Sequence, residues 1–308
     1  MVTPRINVVA PAKVNLCLEV LGLREDGYHE VRTVLQAIDL LDRLEFSLDV
    51  SGEGFIMEMD PEVPGVPVGE GNLCQSAFQR FREVAGEGIA GAGGLHLRLC
   101  KRIPAAAGLG GGSSDAAATL LALNELSGGR LARDELADIA AGLGSDVPFF
   151  LTGGTAFAEG RGERVRPVEA AVPLQVVLAK PRGALSAREV YEAFDREGGP
   201  DGGGTGALDL GPAGAWRDAL LEGLVAPIEN LMGNSLEQAV IALVPAVSRL
   251  ISAAQELGVR AMVSGSGPTV FALVAGSDEA EKVARAFEPQ AQETFITRFR
   301  PRGCEIVA

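Results

Sequence analysis

Pro104-Ala105-Ala106-Ala107-Gly108-Leu109-Gly110-Gly111-Gly112-Ser113-Ser114-Asp115 is the stretch from which the rest of the chain can be read. Glycines at 108, 110, 111 and 112 permit positive φ angles and leave no side chain between the main-chain N–H groups and an approaching ligand, so the segment can wrap an anion. Ser113, Ser114 and Asp115 are residue types that cap a helix start. Ala116 to Leu126 follow with apolar residues at Leu120, Leu123 and Leu126, and Gly128-Gly129 ends the run. A helix N-terminus adds partial positive charge and unpaired N–H donors, so the junction predicts a phosphate site. No G-x-x-x-x-G-K-[ST] occurs in the chain, and Gly108-x-Gly110 has Ser113 where a dinucleotide fingerprint needs glycine.

Composition bounds what surrounds this loop. A chain of 308 residues with 47% hydrophobic content has enough apolar material for two packed cores. No run reaches the roughly 18 to 20 apolar residues that span a bilayer, and Met1-Val-Thr-Pro-Arg-Ile6 lacks the pattern of a secretion signal, so a cytoplasmic protein without a membrane partner is expected. Cys17, Cys74, Cys100 and Cys304 are scattered, without a C-x-x-C pair, and read as free, buried thiols. A net charge of −14 argues against a nucleic-acid binder, since phosphate-backbone affinity comes from clustered Lys and Arg. Any phosphate site must then draw its positive charge locally, because charges beyond about 8 to 10 Å are screened at cellular salt. With only His29 and His96 present, a histidine-rich metal centre or a Ser-His-Asp hydrolase has very little to be built from.

Residues 5 to 21 alternate as strand, Arg24-Glu-Asp-Gly27 reads as a turn, and further strands are expected at Val31–Ile38, Leu44–Val50 and 95 to 100. Helices are expected at 72–85, after the glycine loop, and at Arg133–Leu143. Strands followed by helices favour an α+β layer structure. Leu174–Ala179 reads as a strand of the second unit, and the boundary is placed between an N-terminal domain, 1–165, and a C-terminal domain, 166–308. Residues 198–214 read as a surface loop. Helices at Asn234–Leu243 and Pro245–Leu257 precede a strand, turn, strand around Gly265-Ser266-Gly267.

Lys13 and Asn15 share one face of a strand whose other face carries Val14 and Leu16, which suits a polar cleft; taken alone, Lys13 also fits a solvated edge lysine. Asp146, in Gly144-Ser-Asp146-Val-Pro148, is either a helix cap or a carboxylate able to orient a hydroxyl and accept its proton. A lysine ammonium beside it would soften the charge on a transferring phosphoryl group. Tyr28 offers a ring for stacking and His29 a donor or acceptor for a base edge, although each also suits simple packing. His96, between Leu95 and Leu97, reads as structural.

Three ordered motifs, Pro11-Ala-Lys13-Val-Asn15-Leu, Pro104-x-x-x-Gly108-Leu109-Gly110-Gly111-Gly112-Ser113-Ser114 and Ser264-Gly265-Ser266-Gly267-Pro268, give the chain a close resemblance to the GHMP kinase superfamily of galactose, homoserine, mevalonate and phosphomevalonate kinases. Within it, Asp26-Gly27-Tyr28-His29 and Gly144-Ser-Asp146-Val-Pro-Phe look like the branch acting on 4-diphosphocytidyl-2-C-methyl-D-erythritol, in the non-mevalonate route to isoprenoid precursors.

The resemblance implies two α+β domains, the first like ribosomal S5 domain 2 and the second ferredoxin-like. It also implies ATP as donor, Mg²⁺ as helper, and transfer of the γ-phosphoryl group to the 2-hydroxyl of the methylerythritol. By the same resemblance, Asp146 is the base and Lys13 its partner. Lys101, Pro104, Leu109 and the 108–114 loop hold the ATP phosphates. Asn15, Tyr28, His29, Tyr191 and Gly265-Ser266-Gly267 hold the substrate. Where relatives commonly carry Ser-Thr before the aromatic at 191, this chain has Ser186-Ala187, which leaves Ser186 as the candidate hydroxyl. The metal ligands are left unassigned, with Ser114 or Asp115 as candidates, and a monomer or weak homodimer is expected. Two alternatives stay open: a kinase of another small alcohol, and a non-catalytic binding protein, which should lack the Lys13/Asp146 pair.

Overall fold

The period-two alternation at the start of the chain becomes one 19-residue strand, β1 (Arg5–Leu23), and the Asp26-Gly27 turn folds it back on a 21-residue partner, β2 (His29–Asp49). Gly27 adopts φ 81, and the Arg24 N–H donates to Tyr28 O at 2.7 Å, closing the hairpin tip. The two strands expected at Val31–Ile38 and Leu44–Val50 are one: β2 runs through, with the interruption absorbed as a register shift where Pro11 faces Leu41 but Ala12 faces Ile38. In this computed structural model residues 5–49, 54–86, 94–170, 174–199 and 213–307 are described.

The chain continues through β3 (Phe55–Met59), α1 (Leu73–Ala85), β4 (Gly94–Cys100), α2 (Gly111–Leu126), α3 (Arg133–Leu143), α4 (Val147–Thr152), β5 (Thr155–Gly160) and β6 (Arg164–Val168). Then come β7 (Gln175–Pro181), α5 (Ala187–Arg196), α6 (Ala213–Glu222), α7 (Val225–Leu231), β8 (Gly233–Asn234), α8 (Glu237–Leu243) and α9 (Ala246–Gln255). It ends with β9 (Ala261–Val263), β10 (Val270–Val274), α10 (Ser277–Phe287), β11 (Ala291–Arg298) and β12 (Glu305–Val307).

The long β2 serves two partners, β4 along Arg43–Asp49 and β5 along Val31–Gln36. Around it an eight-stranded sheet forms, ordered β12-β1-β2-β4-β3, with β5 carrying β6 and β8 lying parallel to β1. The second sheet is β11-β7-β10-β9, antiparallel throughout. Alternation along β7 explains the layering. Val176 and Leu178 join the core shared with Val14 and Leu16 of β1 and with Trp216 of α6, while Val177 and Ala179 join the core under α5, α8, α9 and α10. A third core packs α1 to α4 on the first sheet, through Phe46, Phe78, Phe81, Leu120 and Phe149 among others.

The boundary expected at 165/166 falls within β6, an edge strand pairing with β5, and both β8 and β12 pair with the first sheet. Several other expectations are corrected. Ser113, Ser114 and Asp115 do not cap α2: Gly110, at φ 72, turns the chain straight into a helix that already starts at Gly111. Asn234 lies in β8, and α8 starts only at Glu237. Cys100 is exposed because it sits on the solvent side of β4, while Cys17 and Cys74 are buried, and all four cysteines are free. The loop expected at 198–214 lies mostly outside the described residues. Among the described residues no helix is long and apolar enough to cross a membrane.

Candidate active site

Two glycine turns from distant parts of the chain pack into one wall. A Cβ on Gly108 would stand 2.2 Å from Ser264 O and 2.8 Å from Gly267 N, so the first loop touches the Gly265-Ser266-Gly267 turn backbone to backbone. Ser264 Oγ donates to Gly108 O at 3.1 Å, and Asn234 Nδ2 donates to Val263 O and Gly265 O, fixing the second turn from behind. Gly110 presses on Phe150 and Lys13 Cγ, and Gly265 on Asn15 Oδ1 and Lys13 Nζ. Gly112 is exposed, with only Leu73 Cδ1, at 3.9 Å, near a hypothetical Cβ. The N–H groups of Gly111, Gly112 and Ser113 precede the first intrahelical bond, from Ser114 N–H to Gly110 O at 2.9 Å, and are thus available to an anion. Ala106, at φ 48, is the one non-glycine residue with positive φ among those described, and it lies in this same loop.

Against this wall β1 presents Lys13 and Asn15, while Val14 and Leu16 face the core as the alternation requires. Lys13 Nζ donates to Asn15 Oδ1 at 2.5 Å, Asn15 Nδ2 donates to Thr33 Oγ1 at 2.8 Å, and Thr33 Oγ1 donates to Cys17 O at 2.5 Å. This relay fixes the amide orientation of Asn15 and holds the ammonium in place. Asp146 stands at the head of α4, yet its side chain makes no capping bond, and its Oδ2 lies 3.7 Å from Lys13 Nζ.

These groups open on a cleft of ≈ 700 Å³ whose lining also includes Ser113, Tyr28, His29, Tyr191, Gly265 and Ser266. His29 stacks on Tyr191 with centroids 4.7 Å apart at 25°, and its Nε2 lies 2.8 Å from Asp195 Oδ1. Burial, with the charge of Asp146, pushes the Tyr191 phenol up, so it stays a neutral hydroxyl. Tyr28 is 55% exposed, and the Arg161 guanidinium sits 4.8 Å from its ring centroid. Sequence reasoning missed Asp195 and Arg161. The first stands four residues after Tyr191, one helical turn along α5, and that spacing was readable; Arg161 has no comparable local signal.

Other expected site residues lie elsewhere. Lys101 is not an available cation: its Nζ is buried between Asp42 Oδ2, at 2.5 Å, and Asp115 Oδ2, at 2.6 Å, directly beneath Gly111. Asp42 also accepts the N–H groups of Arg102 and Ile103, which ties the start of the loop to β2. Ser114 is fully buried with its Oγ toward Cys304 Sγ, and Leu109 is a core residue whose carbonyl accepts the Lys13 N–H. Pro104 is half-buried at the loop entrance. Ser186 caps α5 in a capping box, accepting the Glu189 N–H while its Oγ donates to Glu189 Oε2 at 2.6 Å, so its hydroxyl is engaged within α5. Neither metal candidate fits. Ser114 is turned into the core and Asp115 Oδ2 is already taken by Lys101 Nζ, and among the described residues no group of three His, Cys, Asp or Glu could hold an ion.

The GHMP kinases N terminal domain profile matches residues 72–154, and the GHMP kinases C terminal profile residues 216–292. A Pelotomaculum thermopropionicum protein named 4-diphosphocytidyl-2-C-methyl-D-erythritol kinase is 41% identical over 299 residues, covering 96% of this chain and 99% of its own. A Salinispora tropica protein of the same name is 42% identical over 287 residues, covering 91% and 86%. The crystal structure of a 4-(cytidine 5'-diphospho)-2C-methyl-D-erythritol kinase superposes with a TM-score of 0.74 at 35% identity, over 95% of this chain and 98% of that one. The L. major mevalonate kinase in complex with R-mevalonate, at 17% identity and a TM-score of 0.70 over 96% of each chain, shares the fold.

Proposed function

The chain belongs to the GHMP kinase family, and from that premise we propose that it transfers the γ-phosphoryl group of ATP to the 2-hydroxyl of 4-diphosphocytidyl-2-C-methyl-D-erythritol, a step toward isoprenoid precursors. The observation that carries the reading is a Lys13/Asp146 pair and a set of aromatic rings in one cleft, beside a helix N-terminus with bare N–H groups.

In this reading the 2-hydroxyl oxygen attacks the γ-phosphorus, the bond to the ADP oxygen breaks, and Asp146 takes the hydroxyl proton. Lys13, held by Asn15, stabilises charge as it develops on the transferring oxygens. The main chain of Gly108, Gly110, Gly111 and Gly112 with Ser113 cradles the phosphates of ATP, while Lys101 acts from below by fixing the loop to β2 and α2. Tyr28, His29 and Tyr191 hold the cytidine end, and the Gly265-Ser266-Gly267 turn closes the wall near the acceptor. Mg²⁺ would accompany the ATP phosphates and offset part of their charge. The protein is proposed to work in the cytoplasm, as a monomer or weak homodimer.

The test is a substrate panel with ATP and the cytidylyl-methylerythritol, homoserine or mevalonate, following ADP release and the new phosphate ester. Phosphorylation confined to the cytidylyl substrate is expected. Preference for an alcohol without cytidine would overturn the reading.

A further inference from the structure

Arg161 occupies the turn between β5 and β6, on a rigid mount. The Gly162 N–H donates to Glu159 O at 3.1 Å, and the Glu163 carboxylate accepts the Arg161 N–H at 2.6 Å. That carboxylate fills the notch over Gly160, where a Cβ would stand 2.7 Å from its Oε1. The direction in which the Arg161 side chain leaves the sheet is therefore set by its backbone.

Neighbouring carboxylates leave this guanidinium largely unclaimed. Arg24 bonds Asp26 and Glu30, and Arg164 bonds Glu30 at 2.9 Å. The one ion pair of Arg161 among the described residues is a long contact from Nε to Glu163 Oε2, at 4.0 Å. Its Cζ lies instead over the Tyr28 ring, 4.8 Å from the centroid, where the ring quadrupole attracts a cation. Tyr28 needs such support. It stands just past the hairpin tip, more than half exposed, and an unbraced ring there would lose much of its stacking energy to the entropy of being ordered. In the same cleft Tyr191 has its own brace, His29 held by Asp195.

We propose that Arg161 is a positioning residue for the nucleoside end of the substrate: its guanidinium backs one face of the Tyr28 ring, leaving the other face as a preset platform for the pyrimidine. The proposal rests on the reading that Tyr28 belongs to the cytidine site. Arg161 then acts through Tyr28, not by touching the substrate, which separates it from an arginine that grips the diphosphate.

A double-mutant cycle on the whole enzyme tests this. Arg161→Ala should raise KM for the cytidylyl substrate by about 3- to 10-fold, in line with a cation–π contact at a partly exposed site, with a much smaller change in kcat and in KM for ATP. Arg161→Lys, which keeps a cation, should recover part of the loss. Tyr28→Ala should raise the same KM, and adding Arg161→Ala to it should cost nothing further, with thermal melting confirming that each variant is folded. If the Arg161→Ala penalty persists in full without Tyr28, or is missing in the wild-type background, the proposal is overturned while the cytidine site stands. A KM unmoved by Tyr28→Ala overturns the cytidine assignment of Tyr28, and the proposal with it.

Discussion

Lys13 Nζ and Asp146 Oδ2 stand 3.7 Å apart, the lysine side chain only 5% exposed and the aspartate 34% exposed. The asymmetry sorts their roles. The ammonium is enclosed by Asn15 and the Gly265 turn, so the carboxylate is the member that an incoming hydroxyl can reach.

Asp146→Asn should therefore lower kcat by roughly 10²- to 10⁴-fold, the usual range for a lost general base, with KM for ATP and the melting temperature little changed, because Asp146 makes no capping bond to α4. Steady-state kinetics beside a thermal melt checks both halves. Near-normal turnover in this variant would remove Asp146 from the base role.

Gly108→Ala combines two penalties, a left-handed φ of +75 and a collision with the Ser264 carbonyl. Gly258→Ala, at φ +76 with nothing within 4 Å, isolates the first and should cost about 1 to 2 kcal/mol. Gly108→Ala should cost more than that in denaturant unfolding and should also raise KM for ATP. Equal destabilisation by the two substitutions would mean that the turns do not need their close approach.

What the sequence discloses follows the range of each physical signal. Lys13 and Asn15 are placed on one face by strand alternation alone, and Asp26-Gly27 announces its own hairpin. No local pattern says which remote carboxylate meets Lys13, so Asp146 rests on the resemblance. Lys101 shows the limit most clearly: beside a glycine loop it reads as a phosphate ligand, yet Asp42, 59 residues away along the chain, arrives through β2 and claims it. Ser113 and Ser114 have the chemistry of caps, but the chain turns at Gly110 and the helix starts at Gly111, so both serines fall inside α2. The strand β6, Arg-Val-Arg-Pro-Val, resembles a break because edge strands tolerate proline and charge.

Ser186→Ala separates a capping role from a substrate contact. Loss of the Ser186 bonds to Glu189 should lower stability by about 1 kcal/mol, visible as a lower denaturant midpoint, while KM for the cytidylyl substrate stays near the wild-type value. A large rise in that KM at unchanged stability would return Ser186 to the substrate site.

Asp115 gives the protein a pH-dependent stability that runs opposite to the usual carboxylate. Asp42 and Asp115 share the Lys101 ammonium, but Asp42 also accepts two backbone N–H groups while Asp115 Oδ1 is buried with no partner. Burial, opposed by Lys101 and reinforced by Asp42, raises the Asp115 carboxyl to about 8; in the unfolded chain it titrates near about 3.9. Between these values the native state keeps a proton that the unfolded chain has released, so this group's contribution to stability falls as pH rises from about 4 and is fully lost above about 8. The Lys101 ammonium is shifted upward, mainly by these two carboxylates against the pull of burial, and so loses its proton only at higher pH, outside that window. Asp115→Asn removes the titration, so its unfolding free energy should gain steadily on the wild type between pH 5 and pH 8 and then level off. Urea unfolding of both proteins at several pH values reads the difference directly, and a difference that stays constant across the range would mean that Asp115 is ionised throughout.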